Sequence, residues 1–324
     1  MRAFWRDVGP TEKGKTMTEH RFDGRVAVVT GAGRGIGRAY AHLLGELGAK
    51  VVVNDLGGSM DGAGADTGPA HTVAREITDA GGTAIADTSD VSTVKGGATP
   101  IDLAVAEFGR VDVVVNNAGN VRFGGLPDIE VDNLDSHLGV HVRGAFNTSR
   151  AAWPHLLAQN YGRIVLTGSI GMFGLPDNLG YATAKAALLG MANSLTVSAG
   201  ETDIKVNVIL PNAMTRMGGG PSEGMDQLRD GRPEAGSDMA PSLVAPMVAY
   251  LAHENCDVSG QAYLAGGGRF AHLFVGVTEG YLPADAQKTT VDDVAEHLGR
   301  IKDPAGFYVP TSLMDCVGHY MSHR

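Results

Sequence analysis

The chain has 324 residues, 43% of them hydrophobic, with 46 glycines and a formal net charge of −10, enough apolar side chain for one large α/β domain or two smaller ones. The glycines cluster at short turns rather than at a fixed period, which excludes collagen-like and low-complexity sequence. The acidic balance, with no block of Lys and Arg, lacks the electrostatic footprint of a protein that binds nucleic acid or an anionic membrane. Cys256 and Cys316 are the only cysteines, too few for a disulfide framework and in no metal-ligand spacing; the expected compartment is a reducing cytoplasm, with no metal. No stretch approaches ~20 continuous apolar residues, and residues 1–20 (MRAFWRDVGPTEKGKTMTEH) lack the apolar centre of a secretory signal. They read as a flexible tail, with Met17 an equally good start.

From Arg25 onward, short β-branched runs alternate with longer helix-like segments. The runs are VAVVT (26–30), VVVND (51–55), TAIAD (83–87), VDVVVN (111–116), RIVLT (163–167) and IKVNVIL (204–210), with a last one near QAYLA (261–265) after a helix around 241–253. Continuously apolar strands are buried on both faces, and the helices between them imply right-handed crossovers. The expectation is a single α/β domain over 21–270, a doubly wound, Rossmann-type and mostly parallel sheet. Residues 212–240, rich in Gly, Pro and Met, are too long for an ordinary connection and read as a helical lid over a pocket or as a disordered insertion. The extension 271–324 holds one amphipathic stretch, VDDVAEHLGRI, expected to pack on the domain or on a neighbouring subunit.

Such sheets bind ligands at the carboxyl ends of their strands, so chemistry is sought just after each run. The first strand enters TGAGRGIG (30–37), where Gly31, Gly35 and Gly37 are spaced G-x-x-x-G-x-G. With Ile36 they open a helix, and their backbone N–H groups can approach a pyrophosphate with no Cβ in the way. Asp55 ends the second strand, where a carboxylate can accept from the ribose hydroxyls of NAD and would repel the 2′-phosphate of NADP. Arg34 is a counter-signal, since a guanidinium could meet that phosphate. Asp90 and Val91 are candidates to flank adenine, or simply open a turn. Asn117, Ala118 and Gly119 end the fourth run with small residues that let a cofactor approach, and Asn117 can tie adjacent strands.

Ser169 follows the fifth run, and Tyr181 and Lys185, at i and i+4, share one helical face. A phenol with an ordinary pKa near ~10 is a poor base at neutral pH, but an ammonium beside it and an oxidised nicotinamide favour the phenolate. Ser169 can then hold the substrate oxygen. His141, in LGVHVRGAF, is either a packed structural imidazole or a functional one. A metal site with His137 would need a third ligand that the sequence does not offer.

TGAGRGIG, NNAG, Ser169, YATAK, and Pro211 followed by Thr215 occur in the order of the short-chain dehydrogenase/reductases, which the chain resembles over about residues 21–270. The resemblance implies that Tyr181 is the general acid/base, that Lys185 binds the nicotinamide ribose and lowers the Tyr181 pKa, that Ser169 orients substrate, and that Thr215 contacts the carboxamide. VVVNDLGG, HVRGAFNTSRAAW, YGRIVLTGS, LLGMANSL and PNAMTRM are similar to the (3R)-hydroxyacyl-CoA dehydrogenase branch, whose members carry His-x-Arg-Gly where most of the family has a catalytic asparagine. His141 would then stand at the proton-relay position. Two departures are Asn212, where the family has glycine, and a loop between Ser169 and Tyr181 that is one residue short. The resemblance implies an NAD-dependent alcohol dehydrogenase for an acyl thioester. The alternatives are a 17β-hydroxysteroid dehydrogenase, whose substrate a methionine-bearing lid (Met214, Met217, Met225) could also accommodate, an NADPH-dependent 3-oxoacyl carrier-protein reductase, and a non-catalytic NAD sensor. A homodimer or homotetramer, paired through the helices at 131–158 and 181–200, is expected.

Overall fold

The computed structural model describes residues 20–213 and 239–322. In chain order its first half contains β1 (Val26–Thr30), α1 (Gly35–Glu46), β2 (Lys50–Asn54), α2 (Gly68–Asp79), β3 (Thr83–Asp87), α3 (Val94–Phe108), β4 (Val113–Asn116), α4 (Val131–His137) and α5 (Gly144–Gln159). β5 (Tyr161–Thr167), α6 (Leu179–Ala199), β6 (Asp203–Pro211), α7 (Ala245–Ala252), β7 (Ala262–Gly266) and β8 (Arg269–Leu273) follow, then three short helices, α8 (Val291–Glu296), α9 (Leu298–Ile301) and α10 (Leu313–Met321).

All eight strands form one sheet in the order β3-β2-β1-β4-β5-β6-β7-β8, parallel from β3 to β7. Enclosed strands send alternate side chains into two separate cores. Ala27 and Val29 join one core with Tyr40 and Leu44 of α1, Ile77 of α2 and Leu251 of α7. Val26 and Val28 join the other with Ile101 of α3, Leu156 of α5 and Leu188 of α6. The winding of the chain across the sheet reverses at β1 and β4, the chain leaving β1 toward β2 and β4 toward β5, so the connections at their carboxyl ends diverge and leave a crevice, the usual ligand position in such sheets.

The structure departs from the sequence expectations in three places. β8 lies antiparallel to β7 across the boundary expected at residue 270, returned by Gly267 and Gly268 at φ +57° and +73°; glycines tolerate that left-handed backbone, and such a pair is a hairpin signal. The segment between α4 and α5, Leu138–Arg143, winds as a π-helix, a local widening frequently found at functional sites. The VDDVAEHLGRI stretch breaks at His297 into α8 and α9, and no residue of α8, α9 or α10 is buried. Among the described residues no helix is long and apolar enough to cross a membrane.

Candidate active site

The glycine loop is shaped by close backbone packing. Gly31 and Gly35 hold φ of +63° and +56°, where a side chain would be strained. A Cβ on Gly37 would come 2.2 Å from the Gly31 carbonyl oxygen, and one on Gly31 would come 2.7 Å from Cα of Ala118. Asn117 Nδ2 donates to the carbonyls of Thr30 and Gly31 at 3.0 Å each, and the Thr30 hydroxyl accepts from the backbone N–H of Asn117 and Ala118 at 3.0 Å each. Asn117 thus ties the β4 exit to the β1 exit. No side chain caps the N-terminus of α1, so its first-turn N–H groups are available to an anion.

A cavity of about 330 Å³ opens above this loop. It is lined by Gly31, Arg34, Gly35, Ile36, Gly37, Asp55, Asp90, Val91, Asn117, Ala118 and Gly119, the residues expected to cradle a dinucleotide from its adenine end to its pyrophosphate. Asp55 is held hard in place: its two oxygens accept from Gly33 N and Gly57 N, each at 2.7 Å. Each oxygen keeps a lone pair for a ribose hydroxyl. The Asp90 carboxylate also accepts from Ser92 N at 2.9 Å, so it opens a turn while lining the cavity. Val91 supports the α5 start through its carbonyl, which accepts from Asn147 Nδ2 at 3.0 Å.

The strand ends bring the second group of residues together. Ser169, two residues beyond the end of β5, accepts from Gly171 N at 3.0 Å, and its hydroxyl acts on the Tyr181 phenol. Lys185, one turn beyond Tyr181 on α6, is buried; its Nζ donates to the Thr167 carbonyl at 2.6 Å and stands 5.6 Å from the centre of the Tyr181 ring. Burial pushes the Tyr181 pKa up, against the pull of the Ser169 hydroxyl, and pushes Lys185 down from its ordinary 10.5 to about 7. Both charged forms are disfavoured separately; a phenolate beside an ammonium offsets the cost for both.

His141 lies within the π-helix, buried, with its ring edge-on to Tyr181 at 5.4 Å. Its Nε2 lies 2.8 Å from the Asn120 carbonyl and 3.3 Å from the Asn120 backbone N–H, and the shorter contact is the one made when Nε2 carries the proton. Nδ1, then an acceptor, has no hydrogen-bond partner among the described residues. Burial and the nearby Lys185 hold the His141 pKa well below its ordinary value. With Thr167 and Lys185 it lines a narrow crevice. His137 stacks beside it at 5.9 Å, but both of its ring nitrogens are taken: Nδ1–H donates to Asn133 O at 2.7 Å and Nε2 accepts from Arg122 N at 3.1 Å. That pairing leaves His137 no lone pair for a metal.

Sequence reasoning missed Asn120. Its backbone receives His141, and its side chain donates to Ser136 Oγ at 2.7 Å; its place directly after NNAG was the available signal. Pro211 closes β6, outside the cavity, and Asn212 N donates to Ala265 O at 2.8 Å. Thr215, Met214, Met217, Met225 and most of the expected lid lie outside the described residues.

A family model described as short chain dehydrogenase matches residues 25–219. The chain is 40% identical to peroxisomal multifunctional enzyme type 2 of Drosophila melanogaster over 88% of its own length and 48% of that protein. The full-length structure of that enzyme superposes with a TM-score of 0.75 at 31% identity, over 94% of this chain and 50% of the other. The chain therefore spans about half of that relative. A protein named as a short-chain type dehydrogenase/reductase from Mycobacterium tuberculosis is 41% identical over 87% of this chain and 95% of its own. A 7α-hydroxysteroid dehydrogenase solved with NADH and 7-oxo glycochenodeoxycholic acid aligns at TM-score 0.69 and 27% identity, over 79% of this chain and 98% of that one.

The chain belongs to the short-chain dehydrogenase/reductase family. It is an oxidoreductase acting on alcohols, of a family that uses nicotinamide cofactors.

Proposed function

We propose that the chain is an NAD-dependent dehydrogenase that converts a (3R)-hydroxyacyl-CoA to the 3-oxoacyl-CoA. The observation that carries the chemistry is the convergence of Ser169, Tyr181 and Lys185 at the strand ends, beside a cavity whose ribose end presents Asp55. The substrate class rests on kinship with the multifunctional enzymes of the peroxisome.

The residues fit the dinucleotide. Gly31, Gly35, Ile36 and Gly37 would hold the pyrophosphate on the α1 N-terminus, Asp55 the adenosine ribose, and Lys185 the nicotinamide ribose. When bound, the nicotinamide supplies the acceptor for the hydride that leaves C3. Ser169 Oγ orients the substrate hydroxyl, and the Tyr181 oxygen takes its proton. The Lys185 ammonium lowers the cost of that phenolate. His141 serves as the relay group in this reading. Its Nδ1, with no hydrogen-bond partner among the described residues, is the atom left free for that role.

A second reading, oxidation of a hydroxysteroid, is favoured by the similarity to the bile-acid dehydrogenase and needs no change in chemistry. A carrier-protein reductase using NADPH sits poorly with Asp55. The test is steady-state turnover of (3R)-hydroxyacyl-CoA, its (3S) isomer and a 17β-hydroxysteroid, each with NAD and NADP. Selective oxidation of the (3R) thioester with NAD is expected. Steroid-only turnover would overturn the substrate class, a preference for NADP the cofactor choice, and full activity in Tyr181→Phe the chemistry.

A further inference from the structure

Among the described residues, Arg34 is the only cationic side chain that lines the cavity, and it neighbours Asp55, where a 2′-phosphate would have to sit. Left alone, that guanidinium would favour the phosphorylated dinucleotide and work against Asp55. It is not left alone. Nη1 lies 3.4 Å and 3.3 Å from the carbonyl oxygens of Gly57 and Gly58, and Nη2 lies 3.7 Å from Asp66 Oδ2.

An ion pair with side chains 37% and 60% exposed holds little by itself. What fixes it here is the backbone beneath Asp66. Asp66 N donates to the Leu56 carbonyl at 2.9 Å, closing the loop onto the end of β2. Gly57 turns at φ +81°, and a Cβ there would lie 1.8 Å from the Asp66 carbonyl oxygen, so the two segments touch only because residue 57 is glycine. Asp66 Oδ1 accepts from Gly68 N at 2.9 Å, which leaves Oδ2 for Arg34. Gly57 N in turn donates to Asp55 Oδ1. The two carboxylates are therefore linked through one tight loop, one beside the ribose position and one against the guanidinium.

We propose that Asp66 is a second determinant of cofactor choice: with the Gly57 and Gly58 carbonyls it retains Arg34 and denies a 2′-phosphate the one cationic partner that the described residues offer in the cavity. The inference rests on the NAD reading above and gives it a component separate from repulsion by Asp55.

Calorimetric titration of the full chain with adenosine 5′-monophosphate and adenosine 2′,5′-bisphosphate tests it without turnover. Asp66→Asn keeps the acceptor for Gly68 N and removes the charge. The wild type is expected to bind the monophosphate more tightly. In Asp66→Asn the bisphosphate should gain about fivefold, the worth of one released charge-assisted contact, with the monophosphate unchanged within about twofold. Arg34→Met added to Asp66→Asn should abolish the gain. An unchanged ratio in Asp66→Asn, or a gain that survives loss of Arg34, would overturn the role of Asp66 while leaving NAD preference intact. A wild type that prefers the bisphosphate would overturn the NAD reading, and the inference with it.

Discussion

Replacing Lys185 with methionine keeps the apolar stem of the side chain and removes its charge. With Nζ 5.6 Å from the centre of the Tyr181 ring, an ammonium stabilises a phenolate by about 3 kcal/mol at an effective dielectric near 20. Divided by about 1.4 kcal/mol per decade, that predicts a fall of about 100-fold in kcat/KM at neutral pH. Activity should return as pH rises, because hydroxide then ionises the phenol that the ammonium no longer helps. The variant should also lose a feature of stability. The Lys185 pKa is lowered to about 7 in the fold, so the unfolded chain holds more protons between about 7 and the ordinary 10.5, and folding stability rises with pH across that window by up to about 1.4 kcal/mol per unit. Lys185→Met removes this slope. The assays are the pH profile of kcat/KM for the alcohol oxidised and urea unfolding from pH 7 to 10.5. A variant within about threefold of wild type at pH 7 would refute the electrostatic role of the lysine.

Two further predictions concern the buried charges and imidazoles. Arg163, wholly buried at the opposite end of the sheet, donates to the carbonyls of Gly162, Asp203, His253 and Glu254 and to the Asp203 carboxylate. Arg163→Met should cost about 3–5 kcal/mol in urea unfolding, with kcat/KM of the folded enzyme unchanged; an unaltered midpoint would show that these contacts are dispensable. The pKa values of His137 and His141 are both lowered by burial. Below the ordinary 6.5 the unfolded chain takes up protons that the fold refuses, so stability is full above that pH and falls as pH drops beneath it. Each contributes up to about 1.4 kcal/mol per pH unit. His141→Asn should flatten the decline between pH 6.5 and 5, and an unchanged slope would show that His141 titrates normally.

Much of the site was legible in the chain because its parts are local. The TGAGRGIG turn, YATAK on one helical face and Ser169 at a strand end each need only neighbouring residues to define a geometry. β8 could have been read from Gly266, Gly267 and Gly268, but its five residues carry no buried apolar pattern to mark a strand. His141 was ambiguous for a different reason: its sequence neighbours describe a helix, while its role depends on Asn120 and Lys185.

By itself the sequence determined the alternation of enclosed strands and helices, the glycine turn after the first strand, and the pairing of a phenol with a lysine one helical turn on. These follow from periods of two and 3.6 residues and from glycine's access to positive φ. The tertiary structure alone decided that a π-helical turn seats His141 beside Tyr181, and that the Arg34 guanidinium, at the cavity wall, lies within 3.7 Å of Asp66. Those contacts join residues distant in the chain, and their geometry exists only after the sheet has brought the strand ends together.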